Sequence, residues 1–272
     1  MSIKKYFTHP YRDDGFGGQY QSIIYTILFA EKNGGEYVYS KPNFVNIYGE
    51  ENQEHLENVM NLSKKYKTVE EVGEENVIQV GVEFIISTID QNIDYYFTNS
   101  AELKKIRDCF KENKNLNVFS NSTQNNLVSE LKDKVFNIVI HIRRPNNLTY
   151  DLGSSLQDVD FNDLPSISNR FIHDDYFLFV IDNIRKTNRN EKIKFHIISE
   201  GEIEKFAKYK QEDIEIHLNE SIETTFIRMV MADFLVLSAS SFSYSAALLN
   251  ENDILYKKFW HPKLITWKSA ET

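Results

Sequence analysis

The sequence predicts an α/β fold of two halves, each holding a mainly parallel sheet. Three observations point there. Strand-length apolar runs alternate with helical-period segments along most of the chain, the pattern of parallel strands joined by crossover helices. The run at 135–142 is long and mostly apolar, so it reads as a strand buried on both faces. It ends abruptly in Arg143-Arg144, and strand ends are where open α/β sheets place ligands.

The elements follow in order. Residues 3–8 are expected to form a first strand and 9–18 a polar, glycine-containing loop. Between 19 and 32, apolar residues at 23, 24, 27, 28 and 30 share one helical face. Gly34-Gly35 stops that helix, and 37–39 begins a second strand, completing a βαβ unit. Short strands are expected at 77–80 and 84–87, a helix at 101–111 and a strand at 116–119. The polar, turn-rich stretch 121–126 marks a seam, which divides the chain into 1–125 and 126–272. In the second half the strand at 135–142 is followed by a long polar loop to about 172, and Asp174 caps a helix through 186. Strands at 193–198, 214–218, 234–237 and 254–256 alternate with helices at 202–210, 222–232 and 242–249. There is no internal repeat.

Composition narrows the function. A net charge of −9 argues against broad nucleic-acid binding, though it allows a local basic pocket. Cys109 is the single cysteine, which rules out an intrachain disulfide and a cysteine-based zinc site. The N-terminus lacks the apolar core of a signal peptide, and no apolar run approaches the length of a membrane span. A soluble protein of a reducing, cytoplasmic compartment is expected.

The chemistry-bearing residues gather where strands should end. Arginine offers a planar fork of donors matched to phosphate oxygens, so Arg143 and Arg144 suggest a phosphorylated ligand; the alternative is a pair neutralised by surface carboxylates. His141, two residues before Arg143, shares its side of the strand. Gly15-Phe16-Gly17-Gly18-Gln19 lies between the first strand and first helix, Ser199-Glu200-Gly201 follows the strand at 193–198, and Ser238 to Ser243 follows the strand at 234–237. Serines leading into a helix offer hydroxyls and free backbone N–H groups to an anion.

In order and type these motifs resemble the α1,2- and α1,6-fucosyltransferases and their relatives. The matching positions are Gly17-Gly18-Gln19, His141-Ile142-Arg143-Arg144, Ser199-Glu200 and Ser240-Ser241-Phe242-Ser243. Ala232-Asp233-Phe234-Leu235-Val236 and the closing stretch 248–262 are similar to the α1,6 branch and to the family's last segment, so the resemblance spans about 13–262. It implies a GT-B fold of two facing Rossmann-like domains: 1–125 on the acceptor side and 126–272 holding the donor, with the last helix able to pack back on the first. It implies an inverting, metal-independent glycosyltransferase that uses a nucleotide-sugar donor and a glycan acceptor, with no cofactor. By the match, Arg143 and Arg144 bind the diphosphate, Ser240, Ser241 and Ser243 add phosphate contacts beside Phe242, and His141 sits by the base or ribose.

Two positions depart from the family. Asn146 stands where an aspartate is common, and Thr225 where the α1,6 branch has a guanine-reading carboxylate; Glu223 is near but out of register. GDP-fucose by resemblance, or a UDP-sugar such as UDP-xylose, are therefore both open as donors. For the base that deprotonates the acceptor, Asp14 and Asp13 beside the glycine turn rank above Asp151, with His9 and His173 behind them. Rival readings are a metal-dependent GT-A transferase using Asp158-Val159-Asp160, a sugar-binding protein without catalysis, and a dinucleotide enzyme. The last is disfavoured because the first turn lacks Gly-x-Gly-x-x-Gly spacing.

Overall fold

The computed structural model describes residues 4–10, 12–112, 118–119, 135–144, 170–187 and 192–270. The chain divides into two units, one of residues 1–116, 244–249 and 261–266, the other of 117–243, 250–260 and 267–272. Each is α/β with a parallel sheet, the class the strand–helix alternation predicts.

In the first unit β1 (Lys5–Thr8) is flanked by β2 (Gly35–Tyr37) and β3 (Val77–Gln79), both parallel to it. The crossover α1 (Phe16–Lys32) is buried on every side from Phe16 to Ala30. That stretch contains no charged residue, as a helix enclosed all round requires. Its small hydroxyls turn inward onto the helix: Ser22 donates to Gly18 O at 2.9 Å and Thr26 to Ser22 O at 2.8 Å. Asn33 and Gly34, at φ +69°, close it. The helix starts three residues earlier than expected, because the apolar Phe16 carries Gly17 and Gly18 into its first turn.

The stretch 84–87, expected as a strand, lies inside the helix α5 (Val82–Gln91). Ile85 and Ile89, four apart, are its buried side, and the helical period overrides the local β-branched preference. Between β2 and β3 three short helices had no sequence expectation: α2 (Val45–Tyr48), α3 (Glu50–Met60) and α4 (Val69–Val72). After α5 come α6 (Ile93–Phe97) and the expected α7 (Ala101–Lys111). Of the strand expected at 116–119, Val118 and Phe119 form a turn and the rest lies outside the described residues.

In the second unit β4 (Phe136–His141) is the first strand of a six-stranded sheet. It is followed by α8 (Asp174–Thr187), β5 (Ile193–Ser199), β6 (Ile214–Leu218), α9 (Ile222–Met231), β7 (Phe234–Val236), α10 (Ser241–Leu249), of which only residues 241–243 belong to this unit, β8 (Asp253–Tyr256) and the unexpected two-residue β9 (Lys268–Ser269). The helix expected at 202–210 is a 3-10 segment, Ile203–Tyr209, with a kink at Phe206. The strand order is β6-β5-β4-β7-β8-β9, all parallel. Counted from β4 this is 3-2-1-4-5-6, the doubly wound order whose direction reverses between the first and fourth strands. Ile138, Ile140, Phe195 and Ile197 pack with Phe177 and Ile181 of α8 in one apolar cluster; each fully buried side chain of this size contributes about 1.5–3 kcal/mol. Asp233 fastens β7 to β4 by accepting from Asn137 N–H at 2.9 Å and donating its own N–H to Asn137 O at 3.0 Å. No helix among the described residues is long and apolar enough to cross a membrane.

Candidate functional site

The strand order reverses between β4 and β7, and the C-terminal ends of strands at such a reversal are the place where a doubly wound sheet takes its ligand. His141 ends β4 and Ser238 follows β7. The Ser238 hydroxyl and His141 Nδ1 share a hydrogen bond of 2.7 Å, and the imidazole meets the Phe242 ring edge-on at 5.9 Å. Burial, then the Arg143 charge, pushes His141 down to about 3, so the ring is neutral and held in place by Ser238 and Phe242.

Ser240 caps α10: its Oγ accepts from Phe242 N–H at 3.2 Å. A hydroxyl keeps a proton to donate while it accepts, so the cap can also serve an anion at the helix start. Ser241 and Phe242 are partly exposed there, whereas Ser243 is fully buried and donates to Ser240 O at 3.3 Å. Ser243 therefore holds the turn instead of facing the strand-end site.

The two arginines part company. Arg143 is partly exposed, at 29%, with Nη1 3.5 Å from Glu200 Oε2, and Glu200 is itself 65% exposed. Arg144 is enclosed: its Nη2 lies 2.5 Å from Asp174 Oδ1, and both side chains are about nine-tenths buried. Tyr209 donates to the same oxygen at 2.7 Å, and the guanidinium stacks 5.2 Å from the Phe206 ring. Consecutive residues of an extended chain point to opposite sides, so one arginine faces the strand-end site and its neighbour is built into the fold. Ser199 is likewise structural, donating to Ile142 O at 2.7 Å and pinning the exit of β4 to the end of β5. Beyond it Gly201 has φ +119°, and Asn219 clamps it through paired backbone contacts of 2.9 and 3.0 Å.

Thr225 is buried in α9, and Glu223 lies in that helix's first turn, partly exposed. Asn146, Asp151 and Asp158 to Asp160 lie outside the described residues.

In the first unit the glycine turn is organised by Asp14. Its Oδ1 accepts from Gly15 N–H at 2.7 Å and its Oδ2 lies 3.3 Å from Arg12 Nη2. A Cβ on Gly18 would stand 2.2 Å from Asp14 Oδ2, so glycine is needed there for the carboxylate to reach both partners. Gln19 ties the turn to the next loop, donating to Asp14 O and Asn43 O, each at 2.7 Å, and accepting from Asn43 N–H. Asp13 is exposed. A small concavity beside this turn is lined by His9, Arg12, Gln19, Ser40 and Lys41. Burial, then Arg12, pushes His9 down to about 4.

Sequence reasoning missed Ser238 as a partner of His141, Asp174 and Tyr209 as partners of Arg144, and Arg12 as a partner of Asp14. The spacing of Arg12 to Asp14, two apart in one loop, was the only local signal among these.

No family model matches the chain, and no curated protein matches it in sequence. Among solved structures it is similar to fucosyltransferase NodZ from Bradyrhizobium, at 11% identity over 91% of this chain and 93% of that one, with TM-score 0.39. It is also similar to NodZ alpha-1,6-fucosyltransferase soaked with GDP-fucose, at 13% identity over 90% and 92%, with TM-score 0.38.

Proposed function

We propose that this chain is a glycosyltransferase that moves a sugar from a nucleotide-diphosphate donor to a glycan hydroxyl, with inversion and without a metal in the transfer step. What supports the reading is that Arg143 follows β4 and the Ser240–Ser241 helix start follows β7, the neighbouring strands at which the sheet order reverses. The motif resemblance names the chemistry. In the transfer, the acceptor oxygen bonds to the anomeric carbon while the bond to the phosphate oxygen breaks, and the nucleoside diphosphate leaves with added negative charge. Arg143 supplies paired donors to that charge, and the α10 N-terminus supplies N–H groups and a hydroxyl. Fixed donors of this kind stabilise a leaving anion without reorganising. The Glu200 contact is exposed, and such pairs contribute about 0–1 kcal/mol, so a diphosphate displaces it readily.

The acceptor proton needs a base, proposed among Asp14, Asp13 and Asp151. Asp14 starts with a structural load, since both of its oxygens are engaged. For the donor base, Thr225 brings no carboxylate and Glu223 is the nearest one in sequence, so GDP-fucose and a UDP-sugar stay paired as candidates. A thermal-shift panel of GDP, UDP, ADP and their sugars tests the reading. A ligand of the folded state stabilises in proportion to the logarithm of concentration over Kd. One nucleoside diphosphate is expected to raise Tm above the others, and a flat panel at millimolar concentration contradicts the proposal.

A further inference from the structure

The second sheet has a polar cluster that the strand-end site does not use. Side chains alternate along a strand. Ile138, Ile140, Phe195, Ile197 and Ile214 belong to the apolar cluster on one face, so Asn137, His196, Glu215 and His217 fall on the other. The parallel register sets His196 opposite Glu215 and Ile198 opposite His217, which brings residues about twenty apart in sequence to one place.

The distances there are those of a ligand set. His196 Nδ1 is 3.0 Å from His217 Nε2 and 3.6 Å from Glu215 Oε2, and His217 Nε2 is 3.7 Å from that same oxygen. A point about 2.0 Å from all three atoms lies within this triangle, the distance at which imidazole nitrogen and carboxylate oxygen bind Zn²⁺. Lys194 lies 3.3 Å from Glu215 Oε1, which turns Oε2 toward the imidazoles.

Each imidazole has an oxygen at its outer nitrogen. The Asn137 amide nitrogen donates to Val135 O at 3.2 Å, so its Oδ1 faces His196 Nε2 at 3.1 Å. An amide oxygen only accepts, which places the His196 proton on Nε2. Glu220 Oε1 lies 3.2 Å from His217 Nδ1, and a carboxylate likewise places that proton on Nδ1. His196 Nδ1, His217 Nε2 and Glu215 Oε2 then form one close group, in which a cation could take the place of the proton shared between the two imidazoles. Each ligating ring has its second nitrogen held by an oxygen, as in metal sites generally.

We propose that His196, Glu215 and His217 bind one divalent transition-metal ion, with Zn²⁺ the best-matched member of the class, on the face of the second sheet. Two imidazoles and a carboxylate suit that class over Mg²⁺ or Ca²⁺. The ion ties the edge strand β6 to β5, and Glu215, 29% exposed, leaves a way in and room for a water as fourth ligand.

The test uses the full chain, stripped with chelator and titrated with Zn²⁺ by calorimetry, alongside Glu215→Gln, His217→Ala and Glu220→Gln. X-ray absorption at the zinc edge is measured on the loaded wild type. One ion per chain is expected, with a rise in Tm, two histidine nitrogens and an oxygen at about 2.0–2.2 Å, and at least tenfold weaker binding in the first two variants. Glu220→Gln, which alters the outer partner of His217 and also the Arg228–Glu220 ion pair, is expected to weaken binding about 10–100-fold. Binding that is absent or substoichiometric in the wild type, or unchanged in Glu215→Gln and His217→Ala, overturns the proposal. If either variant fails to fold, an absorption spectrum without histidine ligation overturns it alone.

Discussion

Adjacent arginines should fail in opposite ways when removed. Arg144→Ala leaves Asp174 nine-tenths buried, with Tyr209 as its remaining donor. Breaking one side of a buried ion pair strands the other charge and costs about 3–5 kcal/mol. For a domain of this size each kcal/mol lowers Tm by about 2–4 °C, so a fall of roughly 6–20 °C is expected. Arg143→Ala removes a contact to an exposed glutamate, worth about 0–1 kcal/mol, so Tm should hardly move. Its loss should appear in catalysis: about 2–4 kcal/mol of transition-state stabilisation, read as kcat/KM. The assay is a thermal melt of each variant paired with nucleotide-sugar turnover on the folded fraction. If Arg144→Ala keeps its Tm while losing donor binding, Arg144 is a phosphate ligand and the division of labour is wrong.

Acid should destabilise the fold early. Burial pushes His9 to about 4, and His141 and His261 to about 3; the unfolded chain takes up protons near 6.5 while these folded rings stay neutral, so stability is full above that pH and falls as pH drops from 6.5 toward 3. A urea midpoint that rises on acidification from pH 7.5 to 5, or a profile that His141→Asn leaves unchanged, contradicts this. Transfer should survive excess EDTA at ambient temperature even though stripping the sheet-face ion lowers Tm; activity lost to EDTA and restored by Mn²⁺ or Mg²⁺ points to the GT-A alternative. Among Asp13→Asn, Asp14→Asn and Asp151→Asn, the variant of the true base should lose about 10²–10⁴ in kcat with nucleotide affinity nearly constant. If only Asp151→Asn behaves so, the ranking of the glycine-turn carboxylates is wrong, and if none does, the base lies elsewhere.

The strand at 136–141 was legible because four consecutive buried residues, Ile138 to His141, need a near-continuous apolar run. Most strands and helices after it were legible from the alternation of apolar runs with helical-period segments, but not β9 or the 3-10 form of Ile203–Tyr209. The short helices α2 to α4 were not, since they bury few side chains and so leave little apolar periodicity. The segment 84–87 misled because four residues are too few to separate period 2 from period 3.6. At the site, the motif named Arg143 and Arg144 together, and only the enclosing Asp174, Tyr209 and Phe206, 30 to 65 residues on, separate them. The histidine–glutamate cluster was hidden likewise. Glu215-x-His217 puts two ligands on one strand face, but the third comes from β5, and only the register supplies it.

The central claim is that the β4/β7 strand-end site grips a nucleoside diphosphate through Arg143. Calorimetric titration of GDP and UDP into the wild type and Arg143→Ala tests it most directly. One of the two nucleotides should bind the wild type at one per chain, and the variant should bind it about 30–1,000-fold more weakly, which corresponds to about 2–4 kcal/mol. No binding of either nucleotide to the wild type, or equal affinity in a variant that melts like the wild type, contradicts the account.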